Sequence, residues 1–193
     1  MIRKAYNWTL TLARKPNAMV FLGVIAFLES FIFPIPPDIM MVPMMLADRT
    51  RIWLIAHIAT ICSIVGAILG YLIGRLLFDS IAQPLLMLYG YGNGISDFQQ
   101  IYQEWGMLIV LGAAFTPFPF KIITIASGAA ALEPATFVLG ALTGRGLRFY
   151  SEAVVLWRFG SSIQIYIEKY LNLLSIIVFI ILLALVLSIS DIP

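Results

Sequence analysis

The chain has 193 residues, 61% of them hydrophobic and 11% charged, with a net charge of +2 and a mean hydropathy of +0.97. A soluble domain carries about 25% charged residues, so this composition excludes an ordinary soluble domain and fits one integral membrane domain over 1–193. The small net charge, with no basic run outside the N-terminus, excludes nucleic acid as a partner, and the lone Cys62 and lone His57 leave no disulfide scaffold, metal cluster or other cofactor to expect.

Residues 1–17 read as a basic helix lying on the membrane. Arg3, Lys4, Asn7, Thr11, Arg14 and Lys15 fall on one side at helical spacing, and Ile2, Ala5, Thr9, Leu12 and Ala13 fall largely on the other. Such helices bind anionic headgroups; a plain positive flank that fixes topology is the other reading. No cleavage site follows the first apolar run, so a removable signal peptide is not expected.

The first repeat, 18–78, opens on a broken apolar segment. Ala18 to Phe33 makes about 24 Å of helix at 1.5 Å per residue, short of a hydrocarbon core of about 30 Å. Pro34, Pro36 and Pro37 then forbid a regular helix, because each removes a donor and restricts its predecessor. A break at membrane depth survives only where protein or a water-filled cavity surrounds it. The spacing therefore predicts a re-entrant hairpin over 18–47, with a single kinked span as the alternative. Asp48-Arg49-Thr50-Arg51 is a polar exit, and a spanning helix is predicted over 52–75. Gly66, Gly70 and Gly74 recur every four residues as a helix-packing ridge.

Residues 79–106 read as an external loop, with Asp79, Asp97 and Glu104 but no Lys or Arg. Phe98, Ile101, Tyr102 and Trp105 follow at i, i+3, i+4 and i+7, predicting a short helix whose aromatic face rests on the interface. The second repeat, 107–158, has a hairpin predicted over 107–131, broken at Pro117 and Pro119, and a spanning helix over 135–157 interrupted by Arg145, Arg148 and Glu152. Pro34 matches Pro117, Pro36 matches Pro119, Ile39 matches Ile122 and Ala47 matches Ala130, while Lys121 stands at the position of Asp38. Gly140, Gly144 and Arg145 echo Gly70, Gly74 and Arg75. An uncharged terminal span, 170–190, reads as a structural transmembrane helix.

With the N-terminus cytoplasmic and both broken segments re-entrant, Arg3, Lys4, Arg14, Lys15, Arg49, Arg51, Arg158 and Lys169 gather inside. Asp79, Asp97, Glu104, Glu133 and Asp191 gather outside, as the positive-inside rule requires. The predicted fold is an all-α polytopic membrane protein with two opposed re-entrant helical hairpins and transmembrane helices, an inverted repeat.

Glu29, Asp38, Lys121, Arg145 and Arg148 then lie within apolar surroundings. An ionised group at the centre of a spanning helix costs about 2.5–3.5 kcal/mol, so these must pair, reach water or be neutral. A two-fold axis would bring Asp38 and Lys121 together as a pair, and leave Arg145 or Arg148 for Glu29. Either the pairs only fix hairpin register, or they line a cavity for a polar or anionic group. In the second case Lys121, Arg145 and Arg148 contact the group, and Glu29 or Asp38 takes up protons, since a desolvated carboxylate favours its neutral form. Ser, His and Asp are not arranged for nucleophilic catalysis and no glycine-rich loop cradles a phosphate, so no enzyme is expected.

At these residues the chain resembles the DedA family, the bacterial branch of the VTT (SNARE-associated) membrane proteins. Glu29-x4-Pro34-x-Pro36-x-Asp38 is similar to the family's Glu-x4-Pro-x-Pro-Gly-Glu, with Pro37 in place of Gly and Asp38 in place of the second Glu. The second motif, Arg-Phe-x-Pro-x-x-Arg ending in Gly, is met by Ala114-Phe115-Thr116-Pro117-Phe118-Pro119-Phe120-Lys121 with Gly128 beyond. Its first Arg is absent and its second is a Lys one place late, a departure that resembles the YqaA-like branch. The resemblance covers roughly residues 20–160. It implies two opposed hairpins in a bacterial inner membrane and translocation of an anionic lipid, a polyprenyl phosphate or phospholipid, between leaflets, with protons as a coupled partner. Lys121, Arg145 and Arg148 would replace the missing arginines in phosphate recognition. A structural or assembly protein and a small-ion or solute transporter stand as alternatives, and a homo-oligomer is compatible with all three.

Overall fold

The computed structural model describes residues 15, 17–32, 35–78, 80 and 92–160. Among them are six α-helices and no strand: α1 (Ala18–Glu29), α2 (Asp38–Ala47), α3 (Ile52–Leu77), α4 (Gly92–Phe115), α5 (Phe120–Ala129) and α6 (Pro134–Phe159), with a 3-10 turn at Arg49–Arg51 before α3. Residues 1–14, Pro34, residues 81–91 and the predicted terminal span 170–190 lie outside the described residues.

The prolines set the boundaries. Pro37 precedes α2 and Pro119 precedes α5, positions at which a helix leaves backbone donors unused anyway. Pro134 occupies the first turn of α6, where its fixed φ suits the helix. Pro43 lies inside α2 and deprives it of one backbone bond. In the polar turn, the Asp48 carboxylate accepts from the Thr50 amide at 3.0 Å and the Thr50 hydroxyl at 2.6 Å.

Close glycine contacts give the helix directions. Gly23 faces Ile58 and Cys62, Gly66 abuts Phe27 and Gly70 abuts Phe31, so α1 runs beside α3 in the same direction. The chain then reverses, and α2 returns it to the polar turn where α3 begins. In the second half, Gly140 meets Met107 and Val110, and Gly144 meets Leu111 and Ala114, so α4 likewise runs beside α6. The chain reverses again between Phe115 and Phe120, and α5 returns along α3, with Gly70 against Thr124 and Gly74 against Ile125. α3 and α6 are antiparallel: His57 bonds Tyr150 while Trp53 reaches Trp157.

The echo of Gly70-Gly74-Arg75 in Gly140-Gly144-Arg145 is one helical turn out of register with these contacts. Gly66 and Gly140 play equivalent parts, as do Gly70 and Gly144, because their partners Phe27 and Val110, and Phe31 and Ala114, have the same separation as Pro34 and Pro117. The counterpart of Arg145 is thus Tyr71, not Arg75, and the counterpart of Arg148 is Gly74.

Two apolar cores result. One joins α1, α2, the start of α3 and the end of α6 through Leu22, Met40, Met41, Met45, Ile55, Phe149 and Leu156. The other joins the far half of α3 to α4, α5 and α6 through Tyr71, Tyr102, Val110, Phe120 and Phe137. The region read as an external loop to residue 106 instead enters α4, one continuous helix from Gly92 to Phe115. Its aromatic face is split: Phe98 and Tyr102 pack on the second core, while Trp105 stays exposed. Arg49–Leu77, with mean hydropathy 2.3, is the one helix among the described residues long and apolar enough to cross a membrane. Its outward face presents Leu54, Ile61, Val65, Ile68, Leu72 and Leu76, a surface matched to lipid.

Candidate functional site

The two breaks meet at a cavity of about 200 Å³. Pro36 lines it from the first break, Pro117, Phe118 and Pro119 from the second, and Glu29, Lys121, Arg145 and Arg148 supply the charges. Segments far apart in the chain reach this point because each apolar arm stops and turns back near the middle of α3 and α6. Pro37 caps α2 at the edge of the site; Pro34 lies outside the described residues.

Arg145 is buried between the two cores. Its Nη2 donates to Glu29 Oε2 at 2.7 Å, and its guanidinium lies 4.2 Å from the Phe120 ring centroid and 5.6 Å from that of Phe149. Arginine suits this position because its planar group stacks on rings while its edge donates to a carboxylate. One turn along α6, Arg148 Nη2 donates to Asp38 Oδ2 in a very short contact, and its Nη1 reaches the Phe115 carbonyl at 3.5 Å. Glu29 at the end of α1 and Asp38 at the start of α2 are therefore tied to the same face of α6 by two neighbouring ion pairs.

The expected Asp38–Lys121 pair does not form. α5 lies on α3 and α2 reaches toward α6, so the two residues fall on different seams. Lys121 Nζ donates to the Ile32 carbonyl at 3.5 Å, and no carboxylate pairs with it among the described residues. Of the two partners considered for Glu29, Arg145 is the one found.

Glu152, which the sequence offered only as an interruption of α6, lies in the field of Asp38 and Arg148. Its Oε2 is buried without a hydrogen-bond partner, as are Asp38 Oδ1 and the Nε atoms of Arg145 and Arg148. Glu152 stands one turn beyond Arg148 on the same helix face, so the i, i+4 spacing was the available signal. Beside Glu29, Ser30 Oγ contacts Ser63 Oγ at 2.8 Å and donates to the Ala26 carbonyl, and Thr124 Oγ1 donates to the Ser30 carbonyl at 3.0 Å. These hydroxyls cross-link the first break to α3 and α5. Among the described residues no group of His, Cys, Asp and Glu could hold a metal.

Such a fold and site define a helical membrane protein in which two broken segments enclose a charged cavity. The chain belongs to the VTT-domain (DedA) family: the VTT domain model matches residues 33–158, a span that includes Asp38, Lys121, Arg145 and Arg148. It is a family of membrane proteins and not a known enzyme family. An uncharacterized protein of Haemophilus influenzae is 31% identical over 144 residues, covering 75% of this chain and 74% of that protein. An uncharacterized homologue from Histophilus somni is also 31% identical over 144 residues, covering 75% of each. No solved structure matches the chain.

Proposed function

We propose that the protein is a transporter that moves an anionic lipid headgroup, of polyprenyl phosphate or phospholipid type, between leaflets through the cavity between the two breaks. The observation that carries this reading is the lining: a small hollow at the reversal of both apolar arms, with three cationic side chains converging on it. In this reading the breaks are the tips of two re-entrant hairpins entering a bacterial inner membrane from opposite faces, with the N-terminus cytoplasmic.

The three cations have different tasks. Lys121, without a carboxylate partner among the described residues, meets the anion first. Arg145 and Arg148 are each neutralised by a carboxylate, so they bind a phosphate only by exchanging that partner. Protonation of Glu29 or Asp38 releases one guanidinium, and in a low-dielectric site a bidentate arginine–phosphate contact replaces the lost pair. Loading is thereby linked to protons. The experiment is redistribution of a labelled anionic lipid in vesicles carrying the purified protein. Glu29→Gln and Lys121→Ala should each slow it at least tenfold, and unchanged rates in both would remove the site from the mechanism.

The rival reading, an assembly protein whose charges only hold the fold, draws on the fact that both arginines are already paired. It predicts that exchanging Asp38 and Arg148 restores activity as fully as stability. The transport reading predicts restored stability without transport, because the guanidinium would then be carried on α2 instead of α6.

A further inference from the structure

Charge on the inner face of α6 does not balance among the described residues. Arg145 holds Glu29 and Arg148 holds Asp38, which engages both guanidiniums. Glu152 is a third carboxyl at the same place, and the charges it faces are Asp38 from α2 and Arg148 from its own helix. Glu29, from α1, acts on both arginines. The other neighbours bring no charge to it: Leu22 of α1 and Ile55 and Ala56 of α3 join the apolar core that contains Phe149 and Ala153, and His57 of α3 is bonded to Tyr150. Lys121 of α5 lies on another seam, bonded to the Ile32 carbonyl.

Two buried carboxyl oxygens here have no hydrogen-bond partner, Glu152 Oε2 and Asp38 Oδ1. Asp38 engages Arg148 through its other oxygen, Oδ2. Two ionised carboxylates facing one guanidinium repel each other, and each orphaned oxygen adds its own desolvation cost. One proton removes both penalties. An acid O–H on one carboxyl donates to the other, and a single negative charge is left for Arg148.

We infer that Asp38 and Glu152 form a carboxyl pair that shares one proton, which rests on Glu152 while Asp38 binds Arg148. What the pair does for transport rests on the reading proposed above. There, Arg148 meets the anion only after Asp38 is protonated. Glu152 stands four residues beyond Arg148, a spacing at which a carboxylate and a guanidinium on one helix meet. An ionised Glu152 would take Arg148 as soon as Asp38 let go, and the anion would find no free guanidinium. With the shared proton in place, uptake of one further proton leaves both carboxyls neutral. Arg148 then keeps its full positive charge beside the cavity that it lines. Glu152 does not line that cavity, so it is a positioning residue that acts through Arg148.

Infrared spectroscopy of the full-length protein in a maltoside detergent, which has no carbonyl group of its own, tests the pair without reference to transport. Wild type at neutral pH should show the carbonyl stretch of a protonated carboxyl group. The band should be lost in Glu152→Gln, and also in Asp38→Asn, where Glu152 is free to ionise against Arg148. Isotopic labelling of the glutamate carboxyl carbons should shift the band in wild type and in Glu29→Gln alike, an arm that leaves positions 38 and 152 intact should variants there fail to fold. No band in wild type, a band unmoved by the label, or a band that survives in Glu152→Gln overturns the pair. Survival in Asp38→Asn alone would put the proton on Glu152 without Asp38 and overturn the sharing. In vesicles, the wild-type rate of lipid redistribution should fall more steeply with rising pH than that of Glu152→Gln, which has no shared proton to lose. Equal slopes would overturn the part of Glu152 in releasing Arg148. The band without any lipid movement would leave the pair standing and remove the transport reading instead.

Discussion

The two short return arms, α2 and α5, occupy corresponding places in the two halves but are held in opposite ways. α5 lies almost backbone to backbone on α3. A side chain at Gly74 would overlap the Ile125 carbonyl, and one at Gly128 would overlap the Tyr71 carbonyl. α2 is tied to α6 by the Asp38–Arg148 pair, and its Met40, Met41, Met44 and Met45 are buried in the first core with α1, α3 and α6. Where α3 has Gly74, α6 has Arg148; where α5 has Gly128, α2 has Met45. A glycine seam has one tight arrangement, whereas methionines repack and an ion pair can change partner. The difference teaches that α5 is the fixed return arm beside the cavity and α2 the adjustable one.

The most damaging way to break this contrast is Arg148→Ala. It strands Asp38 beside Glu152, and losing one partner of a buried pair costs about 3–5 kcal/mol. Thermal unfolding in detergent should show a large fall in melting temperature. The combined Asp38→Leu and Arg148→Met variant should recover it, while leaving lipid redistribution at background.

Next in size is the glycine seam. Gly128→Val forces side-chain atoms into the α3 backbone, and overpacking of this kind costs about 1–3 kcal/mol or more. Met45→Leu, at the corresponding place in α2, should cost less than about 1.5 kcal/mol because volume is conserved. Equal losses on denaturation would erase the distinction between the two arms.

Glu152→Gln tests the contrast with the opposite sign. Glu152 Oε2 is buried without a partner while Asp38 already engages Arg148. Replacing one of two neighbouring buried carboxyl groups that face a single guanidinium should raise the melting temperature. A lower melting temperature would mean that Glu152 shares in holding Arg148.

The smallest effect belongs to the polar turn outside the cavity. The Thr50 hydroxyl, with the Thr50 amide and Arg51 assisting, holds the exposed Asp48 carboxyl below its ordinary value. A lowered folded value means stability that is present above the unfolded value of about 4 and lost as pH falls through the folded one. The wild type should therefore lose a slight advantage over Asp48→Asn below about pH 4. A difference that persists at lower pH would show that the carboxylate's charge is not its source.

Much of this was legible in the residues. The breaks followed from prolines that no regular helix accommodates, the close seams from glycines at four-residue spacing, and the five intramembrane charges from their cost in an apolar run. Their pairing was not, because it depends on how α6 is rotated about its axis, which the likeness between the two broken segments does not set. The glycine echo misled by one turn because GxxxG carries no phase of its own; its register is decided by which residue of the neighbouring helix it meets. Glu152 was passed over because its weight comes from Asp38, more than a hundred residues away. α4 ran on through a stretch read as an external loop, since Tyr102 and Val110 share the second core and hold one continuous helix.

The most direct test of the central claim is lipid redistribution in vesicles by wild type and Lys121→Ala. Lys121 is a cation of the cavity with no carboxylate partner among the described residues, so its loss should leave the melting temperature within about 2 °C, as for other substitutions that break no buried pair. The account predicts measurable movement of a labelled anionic lipid by wild type and at least a tenfold slower rate in the variant. A wild type that moves no lipid, or a variant as fast as wild type, would contradict it.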